Sequence, residues 1–586
     1  MAVVFFGFLL VGLNLVVGFG IYDVSLLPRL FALMVFLALA VPVFCRPKVF
    51  RSFDVSILRD PLLLSFGTYT ILTACSLVFA INPTAGFNDV FKTFGAFVVL
   101  CLSCLILPTT PQWPGLLSRI VTIAALLACS IGFYQMINQC GFRLPTRTQA
   151  EAVTGLMSNV NLYAGFLNLL LPFCLCGLFI QRGFWRAASG FAAAVTICLI
   201  VLLQSRAAYI SLAMGICFVL LALGVFRKSF GISISRRAIL LLGVAGVCLL
   251  GGIVVPGITI ENPVAQRFRT LFTSDFSAID GGRLMIWRLT LEMIGDHFLT
   301  GVGAGNFSIR MHEYLGRPGQ NFTGIITNWA QPHHDFLWVF AEKGMLGFLF
   351  FVAIFVFAFL RGRAALKAAS RRDVAWIALF ALMGLSAYIT ASCFDFPLER
   401  INQQVYLAVL LAVVTVAARG GPVAEHKAMR PWPILAAVPL AVLLLGTIYS
   451  IFAIRQEYHV NLARRAIRHE DFPVAITQAR LASTRWKTLD PVAAPVAFLE
   501  GYAFWKMGNV AEALPLLERA RQQNPNRSYI LRYLGEAYLA SDKTEKAIDC
   551  LSLAAKRYPQ DGEIRAALTR AISLNKTQTQ ILPKKD

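Results

Sequence analysis

Acidic side chains are scarce in this chain. The 586 residues carry 31 Asp and Glu against 53 Lys and Arg, and charged residues of both signs reach only 14%. Such poverty of charge, with 57% hydrophobic residues and a mean hydropathy of +0.66, excludes an ordinary soluble globular protein. Metal-holding patterns are missing too. There is no Asp-x-Asp and no His-Glu-x-x-His, and the Cys-x-x-Cys of Cys101 and Cys104 has no partner pair at zinc spacing. Most of the 13 cysteines, among them Cys129, Cys174, Cys176, Cys217 and Cys248, sit inside apolar runs, where a thiol behaves as a small hydrophobe. No basic segment precedes the first apolar run and more runs follow, so that run reads as an anchor rather than a cleavable signal.

Long apolar runs fill the space that charge leaves. Thirteen of them are expected to span a membrane: 3–20, 24–45, 61–81, 87–107, 116–137, 162–180, 187–203, 207–226, 238–256, 336–360, 374–394, 403–418 and 433–453. Each covers enough helix for about 30 Å of hydrocarbon. The expectation is an all-α fold, a polytopic transmembrane helical bundle of about 12–13 spans over residues 1–453.

Lys and Arg divide unevenly between the connecting loops. Loop 46–60 holds Arg46, Lys48, Arg51 and Arg59, loop 361–373 holds four Arg and Lys367, and 181–186, 227–237 and 419–432 are basic as well. On the other side, 21–23 and 82–86 hold none, 138–161 holds two Arg and 395–402 holds one. Positive charge stays inside. This places the amino terminus in the cytoplasm and both the long polar loop 257–332 and the carboxy-terminal segment outside. The net charge of +22 follows largely from this bias and calls for no nucleic-acid partner; attraction to anionic headgroups and pyrophosphates is the competing reading.

At about residue 454 the apolar runs stop and charges interleave. Gly501, Ala503, Phe504, Ala513, Ala520 and Pro525 recur 34 residues later as Gly535, Ala537, Tyr538, Ala547, Ala554 and Pro559. That period and those residues resemble the tetratricopeptide repeat, a helix–turn–helix unit whose small residues let two helices approach. Residues 454–575 are therefore expected to form a soluble α-solenoid, with 455–486 a degenerate first repeat, 560–575 a capping helix and 576–586 a disordered tail. Such stacks bind a protein or peptide, or brace the domain they follow.

Several residues could carry chemistry. His333, in QPHHDFLWVFAEKGMLG, lies where the polar loop meets the next span, and a neutral imidazole there suits a general base. Adjacent His333 and His334 point about 100° apart on a helix, which argues against one shared metal ion. Arg206, in LLQSRAAYIS, interrupts apolar sequence at the outer edge, where a guanidinium can grip phosphate or snorkel to the interface. Arg283, Trp287, Leu291 and Ile294 share a helical face in 281–298, so Arg283 needs an anionic partner, structural or substrate. The Gly-rich GVGAGNF (301–307) lacks a strand–turn–helix frame for a dinucleotide and reads as a tight turn letting backbone approach a helix or headgroup.

Together the segments TGLMSNVNLYAGFLNLLLP (154–172), QSRAA (204–208), GGRLMIWRLTLEMIGDHFLTGVGAGNF (281–307), HHDFLWVFAEKGMLG (333–347) and CFDFPL (393–398) resemble the bacterial O-antigen ligases, with the related O-antigen polymerases and pilin-type O-oligosaccharyltransferases. The resemblance implies a glycosyltransferase of the C type in the bacterial inner membrane, working without metal or other cofactor. It implies transfer of a glycan from an undecaprenyl-pyrophosphate carrier to an acceptor hydroxyl on the periplasmic face, the acceptor being lipid A core, another glycan or a protein. Arg206 and Arg283 would hold the pyrophosphate, His333 would orient or deprotonate the acceptor, Asn161 would line the site, and Glu342, one helix face away from the base, would line it or serve the structure. The family places Asn after its key His; His334 stands there in this chain, leaving both histidines as candidates for the base. A transporter or flippase of polyprenyl-linked glycans is the alternative of another class, and a membrane-anchored scaffold a third. Charges at one membrane boundary, with none strung through successive span centres, favour an interfacial reaction over a conduit.

Overall fold

The computed structural model describes residues 1–230, 282–315, 330–368, 371–419 and 433–581. Among these, eleven helices are long and apolar enough to cross a membrane. A shorter amino-terminal helix, α1 (Ala2–Leu15), precedes α2 (Leu26–Phe44), α3 (Pro61–Phe79), α4 (Pro83–Thr109), α5 (Trp113–Cys140), α6 (Val160–Ile180), α7 (Gly183–Leu202) and α8 (Arg206–Phe226). After the short α9 (Arg283–Asp296) come α10 (Asp335–Ala368), α11 (Arg372–Ser392), α12 (Ile401–Arg419) and α13 (Pro433–Arg468). Eleven of the thirteen expected spans thus appear as membrane-length helices; 238–256 lies outside the described residues.

The first expected span is shorter than 3–20. Its helix stops at Leu15 because Arg29, 1% exposed, reaches across from α2 and donates to the carbonyls of Asn14 (2.8 Å) and Val16 (3.2 Å). A buried guanidinium satisfies the helix's last carbonyls and lets the chain turn away.

Helix α12 is the hub. Every residue from Ile401 to Ala417 is buried. Its polar start, Asn402-Gln403-Gln404, is tolerated because neighbours take the amide protons: Gln403 donates to the Leu162 carbonyl at 2.8 Å, and Gln404 to that of Leu398.

Cross-loop contacts place 16–25, 80–86, 141–159, 203–205, 282–315, 330–334 and 393–400 at one end of the bundle. Arg400 pairs with Asp23, Asn82 bonds Asn306, and Arg147 donates to Gln204. Described basic loop residues sit at the opposite end, where Arg361 and Arg419 pair with Asp60 and Asp54 at 2.8 and 2.7 Å.

Helix α13 carries the chain out of the bundle into the tail. It runs unbroken through residue 454, the expected boundary, since neither proline nor glycine lies between Gly446 and Glu470, which turns left-handed (φ 58°). Asp471 then caps α14 (Phe472–Ala482) by accepting the Val474 N–H. Helices α15 (Val496–Lys506), α16 (Val510–Gln523), α17 (Ser528–Leu539), α18 (Thr544–Arg557) and α19 (Gly562–Ile581) complete the solenoid. Gly501 and Gly535 are small for a reason: a Cβ there would lie 3.1 Å from Leu516 and 2.6 Å from Leu551 on the facing helix. Helix α19 continues past 575, the expected start of disorder, because Lys576–Ile581 contains no breaker; residues 582–586 lie outside the described residues.

The solenoid packs on the loop end that carries His333. Asn82 donates to Thr488 at 2.9 Å, Asn526 to the Ile309 carbonyl and Glu313 at 3.0 and 2.8 Å, and the Tyr558 hydroxyl meets His312 Nδ1 at 2.9 Å. Ile309, Leu489 and Ala493 close a small apolar seam with Ile81 and Ala85.

Candidate functional site

Three helix starts at the loop end carry the residues singled out from sequence. Arg206 opens α8, directly after a turn in which Gln204 is left-handed (φ 54°). Arg147 holds that turn by donating to the Gln204 carbonyl at 3.0 Å, and Gln204 donates to Pro145 at 2.7 Å. Arg283 opens α9, directly after Gly282 (φ 83°). Arg206 lies close enough to Arg283 and Arg147 for each to repel its charge, while Arg147 is itself paired with Glu151 at 2.8 Å. A cluster of like guanidinium groups at positive helix ends is costly without an anion and well suited to one.

Of the expected stripe of helix α9, Ile294 is buried, Arg283 and Trp287 are half-buried and Leu291 faces out, so the docking face is rotated from the expected one. Ile286, Leu289, Thr290, Met293 and Ile294 are buried, whereas Leu291 is exposed. Trp287 anchors it: the indole donates to the Pro332 carbonyl at 2.9 Å and its ring meets His334 edge-on, centroids 5.5 Å apart. Arg283 is thereby tied to the segment that carries the histidines.

His333 itself is left-handed, with φ 54°. Non-glycine residues held there store strain, and such strain gathers at functional sites. Its imidazole, 36% exposed, lies edge-on to Phe396 (5.0 Å) with Nδ1 3.9 Å from the buried carboxylate of Asp395. Among the described residues no hydrogen bond occupies that Nδ1. Asp335 fixes the pair from behind, because its carboxylate accepts from Ser392 Oγ (3.1 Å) and the Leu398 N–H (3.0 Å), on either side of Asp395 and Phe396.

His334 does another job. Its Nδ1 accepts the Leu337 N–H at 3.3 Å and caps α10, while burial pushes its pKa down and keeps it the neutral acceptor that capping needs. Two further residues singled out from sequence, Asn161 and Glu342, also separate from His333. Asn161 is the second residue of α6; its own N–H donates to Asn159, and it shares a helix face with Asn168, which donates to the Ala208 carbonyl beside Arg206 at 2.9 Å. Glu342 lies two turns along α10 from His333, 1% exposed, accepting the Phe307 N–H at 3.1 Å and paired with Lys343 at 3.6 Å.

The Gly-rich segment explains that burial. Helix α10 breaks at Gly344 (φ 64°, ψ −171°), and residues 298–307 thread the break as a strap. Val302 and Gly303 donate to the Ala341 and Glu342 carbonyls, and Met345 donates to Phe298, each at 2.9 Å. The tight approach expected of GVGAGNF is made to a helix.

Asp395 and Arg147 carry no role in the reading from sequence. Asp395 was visible inside CFDFPL and Arg147 only as one of two cations in its loop; neither spacing nor periodicity connects them to residues 60 positions away.

Residues 191–352 match the family model for O-antigen ligase, and residues 504–571 that for the tetratricopeptide repeat. Similarity to the O-antigen ligase family and to the tetratricopeptide repeat thus occurs in one chain, in the order expected from sequence. The ligase-family match contains Arg206, Arg283, His333, His334 and Glu342, and stops short of Asn161 and Asp395. No curated protein matches the chain. Among solved structures, the crystal structure of the P58(IPK) TPR domain aligns at 13% identity, covering 72% of this chain and 96% of that one, with a TM-score of 0.25. The match supports, in general terms, an O-antigen ligase-like membrane glycosyltransferase.

Proposed function

We propose that the chain moves a glycan from an undecaprenyl-pyrophosphate carrier to an acceptor hydroxyl, at the periplasmic face of the bacterial inner membrane and without a metal. The observation that carries this reading is the meeting of two arginine-bearing helix starts with a strained histidine backed by a carboxylate. Arg206 and Arg283 take the pyrophosphate oxygens. The acceptor oxygen bonds to the anomeric carbon as the bond from that carbon to the pyrophosphate breaks, and its proton passes to His333. Asp395 offsets the positive charge that His333 gains. Polyprenyl pyrophosphate leaves, its charge stabilised by the guanidinium pair and the helix dipoles. General-base assistance of this kind is worth about 10²–10⁴ in rate. Asn161 stands at the rim near the start of α8, and the repeat tail serves acceptor or partner recruitment.

Reconstitution tests the proposal. The purified full chain in liposomes, supplied with an undecaprenyl-pyrophosphate-linked oligosaccharide and candidate acceptors in the presence of EDTA, should release carrier pyrophosphate and form glycosylated product. Arg206→Ala, Arg283→Ala and His333→Ala should each abolish product while remaining folded. Full product from all three variants overturns the site; glycan crossing the bilayer with no product favours a transporter.

A further inference from the structure

Helix α9 is too short to cross a membrane, yet its outer face is apolar. Leu284 and Leu291 are exposed, as are Phe298 and Leu299 just past its end. Positions 284, 288, 291, 295 and 298 recur at steps of three and four residues and so share one face. The opposite face, with Ile286, Leu289, Met293 and Ile294, is buried in the core of the bundle. A helix apolar on two sides needs two apolar partners, and the bundle supplies one of them.

Both ends of α9 are held where membrane spans begin. Arg283 lies beside Arg206, the first residue of the span α8. At the other end the Phe298 carbonyl accepts the Met345 N–H at 2.9 Å, one residue past the break in α10 at Gly344. Met345–Ala368 alone covers about 36 Å at 1.5 Å per residue, enough for about 30 Å of hydrocarbon. The break therefore marks the membrane boundary, and α9 runs along that boundary from one span to another.

The outer face of α10 continues that of α9. Leu346, Leu349, Val356 and Leu360 are exposed at helical spacing, the stripe a spanning helix turns to lipid. Aromatic rings join the two faces: Phe298 and Phe340 have centroids 5.4 Å apart, and Phe340 stacks on Phe348 at 4.7 Å. Arg288 is the one charge at the five positions of the α9 stripe. Its side chain is 69% exposed and stands 3.5 Å from Glu292. Such a side chain lays its stem among leucines while its guanidinium reaches headgroup phosphates.

We propose that α9 is an interfacial helix, with Leu284, Leu291, Phe298 and Leu299 seated in the acyl chains of the leaflet at the His333 end and Arg288 at the level of the lipid phosphates. Helices of this kind sink their apolar face about 5–10 Å into the boundary between headgroups and acyl chains. The inference goes beyond the transfer reading and holds whatever reaction the site performs. It fixes a depth: Arg283, which opens α9, lies at the headgroup layer rather than in the water above it.

Photocrosslinking tests it. Leu284→p-benzoyl-phenylalanine and Leu291→p-benzoyl-phenylalanine are made one at a time in the full chain, which is reconstituted in nanodiscs of phosphatidylethanolamine and phosphatidylglycerol, irradiated and weighed by mass spectrometry. Val356 on the outer stripe of α10 and Met507 in the repeat tail, both exposed, carry the same group as references. All four positions are exposed, so the replacements disturb no core packing, and size exclusion checks that each protein elutes as wild type does. Lipid adducts at 284 and 291 should come within about twofold of the yield at 356 and exceed that at 507 at least about fivefold. Yields at 284 and 291 no higher than at 507 overturn the proposal in favour of water. An adduct joining two chains in place of lipid overturns it in favour of a second copy on this face.

Discussion

Replacing Gly344 by Ala should unfold the region that presents His333. At φ 64° and ψ −171° the residue occupies backbone space essentially reserved for glycine, and an L side chain there costs about 1–3 kcal/mol. A Cβ would also lie 2.1 Å from the Leu299 carbonyl oxygen, which is backbone and cannot rotate aside. The strap would have to move. Doing so strains the bonds from Val302 to Ala341, Gly303 to Glu342 and Met345 to Phe298, each worth about 1 kcal/mol net. The combined loss, about 4–6 kcal/mol, is a large part of the typical 5–15 kcal/mol of a folded protein. Melting in detergent, followed by fluorescence-detected size exclusion, measures it. Gly295→Ala is the internal control, because a Cβ there meets nothing within 4 Å and the helix α9 gains alanine's propensity. Gly344→Ala should melt far below wild type, with transfer lost, and Gly295→Ala at or slightly above it. A wild-type melt and wild-type transfer for Gly344→Ala would refute the strap argument.

Two further outcomes follow from the same geometry. At 3.9 Å, a carboxylate beside a protonated imidazole is worth about 4 kcal/mol at an effective dielectric of 20, and the partial exposure of His333 reduces this to about 1–2 kcal/mol. Asp395→Asn should therefore slow transfer about tenfold with no change in expression; an unchanged rate would remove Asp395 from the site. Tyr558→Phe combined with Asn526→Ala deletes the contacts of the tail to His312, Ile309 and Glu313. Limited proteolysis should then release the repeats from the bundle sooner than in wild type, and equal protection would show that the apolar seam and the Asn82–Thr488 bond suffice to hold them.

The bundle was legible because span length and loop charge are set by the membrane itself, whatever the neighbours. Where neighbours decide, sequence fell short. Nothing in 3–20 announces that Arg29 will end its helix at Leu15, and the polar start of α12 weakens its hydropathy signal although it leads into the most buried helix. The repeat period was plain from paired small residues, yet the boundary at 454 lies inside α13, because a composition change need not be a break in the helix. In the candidate site, Arg206, Arg283 and His333 stood out as charges at membrane edges. The separate employment of His334 and Glu342, in a helix cap and under a strap, depends on contacts with Leu337 and Phe307 that no motif spells out. Asp395 needed the fold to bring it to His333.

The most direct test of the account compares His333→Ala with His334→Ala in reconstituted transfer, measured as kcat/KM for the acceptor. Removal of the base should lower it by at least about 10². Removal of the cap should cost about 1 kcal/mol of stability and less than tenfold in rate. The reverse order, or full activity in His333→Ala, would contradict a reaction centred on His333.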